Sequence, residues 1–244
     1  MLQFTEQAIT NDSEWVTVGS SKVRLVTSTP NLDQTCGYVA RVSSKNQDNA
    51  SVAGLLRYCA KFGHWSVFEQ GSMTMEVVTP LAISIQLLRH RSFCFQQFSG
   101  RYQDQQAMTL MTDGLPTSEH DLFYMPPVAR MQDTTNRQNS VVCDDERVTA
   151  LMQGAVNDAL LSCYKSYNKL LDLGIAKEVA RFVLPQGTYT RLYVTGNARS
   201  FIHYCDVRDD AGVAQLEHVE LAQAIKSVFT QQCPIIADAV WGNK

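Results

Sequence analysis

Residues 71–91 read "GSMTMEVVTPLAISIQLLRHR". Met73, Met75 and Val77 alternate with polar neighbours as far as Pro80, a period of two that predicts a strand. The period then changes. Proline suits the first turn of a helix, and Ile83, Leu87 and Leu88 follow at positions that would face inward from one. The predicted helix ends on Arg89-His90-Arg91.

Upstream, "EWVTVGSSKVRLVTSTP" (14–30) alternates around Gly19-Ser20-Ser21 and predicts a hairpin or two strands. "NLDQTCGYVARVSS" (31–44) predicts a helix with Asn31 or Asp33 as N-cap. "NASVAGLLRYCAKFGH" (49–64) spaces Val52, Leu55, Leu56, Cys59 and Phe62 helically, and Gly63 ends it. Downstream, 103–145 is polar and proline-bearing and reads as a long functional loop region. Residues 146–174 give the strongest helix, with an apolar stripe from Val148 and Leu151 through Leu160 and Tyr167 to Leu171. A short helix (176–185), a strand (188–197) and helices over 198–208 and 215–234 complete the chain. There is no clean βαβ alternation. The expected fold is α/β (α+β): one domain over residues 1–244, with a small mixed or antiparallel sheet flanked by several helices.

The totals narrow the function. A chain of 244 residues with 45% hydrophobic and 18% charged residues is globular rather than disordered. The formal net charge of -3 lacks the broad basic excess of a nucleic-acid binder, so any anion site is local. No apolar run approaches the roughly 18 residues of a membrane span, and the opening does not resemble a signal peptide. Seven scattered cysteines without a CxxC point to a reducing compartment; the expectation is a cytoplasmic protein without a membrane partner. Their expected role is that of buried small hydrophobes, Cys94 included. No spacing of His64, His90, His120, His203 and His218 matches a metal site, and His218 reads as structural.

The local anion site is "RHRSFCFQQFSGRY" (89–102). Arg89 and Arg91 would point about 200° apart on a regular helix, so a shared ligand requires the chain to leave the helix there. A basic helix terminus complementing the macrodipole explains the run equally well. Ser99, Gly100 and Arg101 add a hydroxyl, an approachable backbone and a guanidinium fork, which together suggest two phosphate-bearing ligands or one dinucleotide. Phe93 and Phe95 read as packing. A second group, Arg181, Arg191, Arg199 and Arg208, lies in apolar segments; each needs an anion or an internal carboxylate such as Glu178, Asp206 or Asp209. Asn197 precedes a predicted helix start, where anions bind well. His64, Ser66 and Glu69 share a loop position open to ligand.

Arg89-His90-Arg91 followed after seven residues by Ser99 matches the RHR-x7-S signature, and the chain resembles the flavin-dependent thymidylate synthase (ThyX) family. "HWSVFE", "SGRY", "ARFVLP" and "GNARSFIHY" fall in the family's order, and "RHRSFCFQQFS" and "NRQNS" resemble its large-DNA-virus branch. The resemblance implies a homotetramer with FAD bound across subunits, making dTMP from dUMP with methylenetetrahydrofolate as carbon donor and NADPH as reductant. It implies that Gln86, Arg89, Gln97, Phe98, Ser99, Gly100 and Arg101 hold dUMP, with Arg181 and Arg208 closing from another subunit. It assigns His64, Ser66, Glu69, Arg89, His90, Arg91, Gln97, Asn197, Arg199 and His203 to the flavin and folate side. Arg208 is the implied catalytic residue, polarising the uracil. A permanent cation beside the ring would stabilise the charge developing as C5 attacks, with no enzyme nucleophile required.

Three positions depart from the common pattern: Gln97 replaces a carboxylate, Val213 replaces a histidine, and His218-Val219 replace Ile-Arg. Two other readings are a dUMP-modifying flavoenzyme with a different one-carbon product, such as 5-hydroxymethyl-dUMP, and a non-enzymatic nucleotide binder.

Overall fold

A computed structural model describes residues 13–104 and 122–242. The polar stretch 105–121, with His120, lies outside them. The main sheet has five antiparallel strands in the order β1-β2-β3-β7-β4. They are β1 (Val16–Val18), β2 (Ser21–Ser28), β3 (Ser72–Pro80), β4 (Cys94–Gln97) and β7 (Tyr189–Asn197). A separate hairpin pairs β5 (Arg130–Gln132) with β6 (Ser140–Val142). The expected α+β class holds, with the sheet purely antiparallel.

The opening stretch folds as read. Met75 pairs with Val194 and Val77 with Leu192 between β3 and β7, and these side chains are buried in one core. Helix α3 (Leu81–Leu87) follows β3 without a loop and buries Ile83 and Leu87. Leu88 is the exception: it falls after the last helical residue and is 37% exposed, not inward-facing. The early hairpin turns at Gly19 with φ 50, a conformation for which glycine has no steric penalty.

Helices α1 (Leu32–Ala40) and α2 (Ala53–Lys61) lie against the short 3-10 turn Trp65–Glu69. Asn31 occupies the α1 N-cap position but makes no side-chain cap bond. Asp33 instead accepts from the backbone amides of Ile235 and Ile236, each at 3.0 Å, and so caps the start of α8 (Pro234–Trp241). The α2 terminus closes as a Schellman motif: Gly63 at φ 71 donates to Ala60 O, and His64 N donates to Cys59 O. Phe62, expected on the apolar face, is exposed.

Helix α4 (Glu146–Asp172) spans 27 residues and begins at Asp145, whose side chain accepts from Arg147 N. Its stripe is not a core face in this chain: only Leu160 and Tyr167 are buried along the helix, and Leu151 is 73% exposed. Helix α5 (Lys177–Ala180) runs into the 3-10 turn Arg181–Val183. Helix α6 (Ala198–Arg208) starts directly from β7 and packs on α7 (Leu216–Gln232), which also covers β1 and β2. All seven cysteines are free; Cys36, Cys59, Cys205 and Cys233 are buried, whereas Cys94 projects outward from edge strand β4 rather than packing. Among the described residues no helix is long and apolar enough to cross a membrane.

Candidate active site

The arginine-rich motif lies just past α3. Arg89 N still donates to Gln86 O at 3.3 Å and His90 N to Leu87 O at 3.0 Å, after which the chain turns into β4. Leaving the helix lifts the constraint that set Arg89 and Arg91 on opposite faces. Both are exposed and form no ion pair among the described residues. His90 turns inward, with its ring edge-on to Tyr204 at 4.9 Å between centroids, and its Nε2 accepts from Arg208 Nε at 2.9 Å. Burial, then the charges of Arg208 and His203, bring His90 down to about 4, so its imidazole is neutral near pH 7. Arg208 reaches this position from the last turn of α6.

Gln86 lies one turn before the motif. Its Nε2 donates to Gln215 Oε1 at 2.8 Å, and its Oε1 lies 3.1 Å from His218 Nδ1. Gln215 Nε2 donates to Glu217 Oε2 at 2.8 Å; Glu217 also accepts from Tyr124 OH at 3.0 Å and pairs with Arg130. Burial alone would raise the Glu217 carboxyl. Hydrogen bonds from its own amide and from Gln215, with Arg130 and Tyr124, hold it below the ordinary value.

A second group gathers beyond β4. Gln97 Nε2 donates to Ser84 Oγ at 3.3 Å and to Thr190 Oγ1 at 3.2 Å, and Phe98 N donates to Arg191 O at 2.8 Å. Ser99 O accepts from Tyr102 N, forming a turn that carries Gly100 and Arg101. Arg101 pairs with Glu178 at 3.2 Å, both partners exposed. A Cβ on Gly100 would stand 3.8 Å from Arg181 Cδ. Arg181 thus lies beside this loop within the chain, and Arg208 lies with His90.

A cavity of about 600 Å³ opens at the start of α6, lined by Trp65, Glu69, Ser92, Asn197, Arg199 and His203, among others. Arg199 and His203 are one turn apart on α6, and Arg199 pairs with Glu69. Asn197 caps the helix, its Oδ1 accepting from Ser200 N at 2.9 Å.

The thymidylate synthase complementing protein family matches residues 24–235 of this chain. The chain belongs to that family. It is 42% identical over 203 residues to a flavin-dependent thymidylate synthase of Synechocystis, covering 83% of this chain and 86% of the relative. It is 42% identical over 213 residues to a probable flavin-dependent thymidylate synthase of Paramecium bursaria Chlorella virus 1, covering 85% and 90%. Two solved structures of the UMP/dUMP methylase PolB from Streptomyces cacaoi also match. The complex with 5-Br dUMP superposes with a TM-score of 0.72 at 29% identity, covering 91% of this chain and 94% of that one. The complex with 5-Br UMP gives 0.74 at 30%, covering 91% and 93%.

In this member of the thymidylate synthase complementing protein family, the residues singled out from sequence form three neighbourhoods rather than one. Gln86, His90 and Arg208 share the first, Gly100, Arg101 and Arg181 the second, and Glu69, Asn197, Arg199 and His203 the third. His64 and Ser66 are exposed beside the third but do not line its cavity; the His64 amide serves the α2 terminus. Arg191 is no ligand candidate here: it pairs with Glu76 inside the sheet, a partner outside the three carboxylates expected for this arginine group. Those carboxylates are engaged otherwise, Glu178 by Arg101, Asp209 by Lys226 and Asp206 by Trp241 Nε1. Sequence reasoning missed Trp65, Ser92, Gln215 and Glu217. The spacing of Arg199, His203 and Asp206 on one helix face was the available signal for the cavity.

Proposed function

We propose that this chain, acting as one catalytic domain, is a flavin-dependent thymidylate synthase. It converts dUMP to dTMP with methylenetetrahydrofolate as carbon donor and NADPH as the source of reducing equivalents. Beside the family membership, the observation that carries this reading is the Arg208–His90 pair at the end of α3. The Nε of Arg208 is committed to a neutral acceptor, so the guanidinium keeps its full charge and both Nη groups for the O2 acceptor of a pyrimidine. A cation held there stabilises the negative charge that develops as C5 attacks the one-carbon unit, at no reorganisation cost during the reaction. Arg101 and Arg181 beside Gly100 suit the nucleotide phosphate.

The residues fit an FAD. The cavity of about 600 Å³ is of the size small-molecule sites use, Arg199 and the amides opening α6 suit a pyrophosphate, and Trp65 presents an aromatic surface. When bound, flavin supplies the hydride chemistry. Arg89 and Arg91, free of ion pairs among the described residues, are available to the same ligands. The seven free cysteines support a cytoplasmic setting.

The test mixes protein, FAD, NADPH, methylenetetrahydrofolate and dUMP and identifies the nucleotide product by mass. UMP is run in parallel, because the solved relative is named a UMP/dUMP methylase. The expected product is dTMP. A 5-hydroxymethyl product would mean that water traps the one-carbon unit; unchanged dUMP under all reductants would refute the proposal. Arg208→Ala should lower turnover by about 10²–10³-fold, the scale for removing one preorganised charge donor. Its flavin absorbance should persist, since Arg208 does not line the cavity.

A further inference from the structure

The hydrogen bonds around Gln86 run in one direction only. Glu217 is ionised and can only accept, so the Gln215 atom facing it is the amide nitrogen. Gln215 therefore turns its carbonyl oxygen to Gln86, which must answer with its own nitrogen. The Gln86 carbonyl then faces His218 Nδ1, which must carry the proton. The other ring nitrogen, Nε2, is buried without a partner among the described residues, as suits an unprotonated nitrogen more than a stranded N–H. His218 is fully buried, packed against Tyr204 and His90, so its ring has no room to rearrange freely.

We propose that Glu217, Gln215 and His218 act as positioning residues that fix the Gln86 amide in one orientation and thereby make the site select uracil over cytosine. The inference rests on the dUMP reading above and adds to it that Gln86, joined through His218 and His90 to the Arg208 neighbourhood, turns its amide to the pyrimidine edge. With one N–H given to Gln215 and one lone pair to His218, the Gln86 amide keeps one donor and one acceptor for a ligand. Uracil offers the complement, an O4 acceptor beside an N3–H donor. Cytosine offers the reverse, an N4 donor beside an unprotonated N3. A freely rotating amide could serve either base by flipping. Held at both ends, it would meet cytosine donor to donor and acceptor to acceptor. A site that hydrogen-bonds its substrate discriminates strongly for this reason, because the mismatched groups remain unpaired. Histidine at position 218 holds the carbonyl end with a donor that an aliphatic residue there would lack.

Two measurements test this on the full-length protein. The first is the 15N NMR tautomer of His218. The Nδ1–H form is expected; an Nε2–H form overturns the relay whatever the nucleotides do. The second is binding of dUMP and dCMP by calorimetry to wild type, His218→Leu and Gln215→Leu. Each variant frees one end of the amide, and the preference for dUMP over dCMP is expected to fall at least about tenfold, the loss of one such hydrogen-bond constraint. Gln215 is exposed, so its variant reports even where His218→Leu does not fold. An unchanged ratio in a folded variant that still binds dUMP refutes the relay and leaves the dUMP site standing. Wild type that binds no dUMP sinks both.

Discussion

His90 and His218 flank Arg208, and the fold keeps both neutral. Burial is the first cause for each, followed by Arg208; His203 adds to the effect on His90, and His90 to that on His218. They are brought to about 4 and about 3, against an unfolded value near 6.5. The sign follows from linkage. Between pH 6.5 and about 4 the unfolded chain binds these protons and the folded one does not, so stability is full above pH 6.5 and falls as the solution is acidified. For the fully buried His218 the limit is about 1.4 kcal/mol per pH unit, or ~2 kcal/mol between pH 6.5 and 5. Urea unfolding of wild type at pH 7, 6 and 5 should show this decline, and His218→Leu should flatten it. An identical slope in the variant would place the acid sensitivity elsewhere. Gln97 shows a different residue-scale effect. Its partners are hydroxyls, Ser84 and Thr190, and Ser84 already donates to Leu81 O. An amide nitrogen suits a spent hydroxyl better than a carboxylate would.

At the scale of elements, alternation and helix punctuation made the framework legible. β3, β7, α3 and α6 are found where Met73–Pro80, the proline at 80 and the Asn197 cap imply them. β4 was not legible, because four residues between a basic turn and a glycine carry too little pattern; what makes them a strand is β7 alongside. α8 was missed for a related reason, since its cap is Asp33, some two hundred residues away in sequence. The β5–β6 hairpin lay inside a stretch whose composition reads as loop. The carboxylate that meets Arg191 was equally hidden: Glu76 is buried on the face of β3 opposite Met75 and Val77, flanked by Arg24 of β2 and Arg191 of β7, and its side chain is 2% exposed. This is an ion pair whose value depends on staying complete. Glu76→Gln would leave two guanidinium groups converging on a neutral amide, and breaking a buried pair from one side costs about 3–5 kcal/mol. The variant should lose stability on that scale in urea titration. A change under 1 kcal/mol would mean water reaches the cluster.

For the molecule as a whole, the long apolar stripe of α4 finds little cover within the chain. A helix of 27 residues with helical apolar periodicity ordinarily packs on its own core. Here Leu151 is 73% exposed on it, and Phe182, in the turn next to Arg181, is 81% exposed. Large exposed side chains of this kind, Phe182 directly beside Arg181, are what a contact between copies would cover. A homotetramer, as family resemblance implies, would give these surfaces a partner and would let a neighbouring copy contribute to the residue neighbourhoods of the site. The purified protein is therefore expected to run by light scattering as a particle four times the 27.3 kDa chain. Leu151→Asp combined with Phe182→Asp should shift it to lighter species, because burying two uncompensated carboxylates opposes assembly by several kcal/mol. If the sites are shared between copies, dUMP conversion should fall in step with the loss of the tetramer, across a dilution series as well as in the variant. A double variant that stays tetrameric would remove these residues from the interface. One that dissociates yet turns over dUMP at the wild-type rate would show that a single chain completes the site by itself.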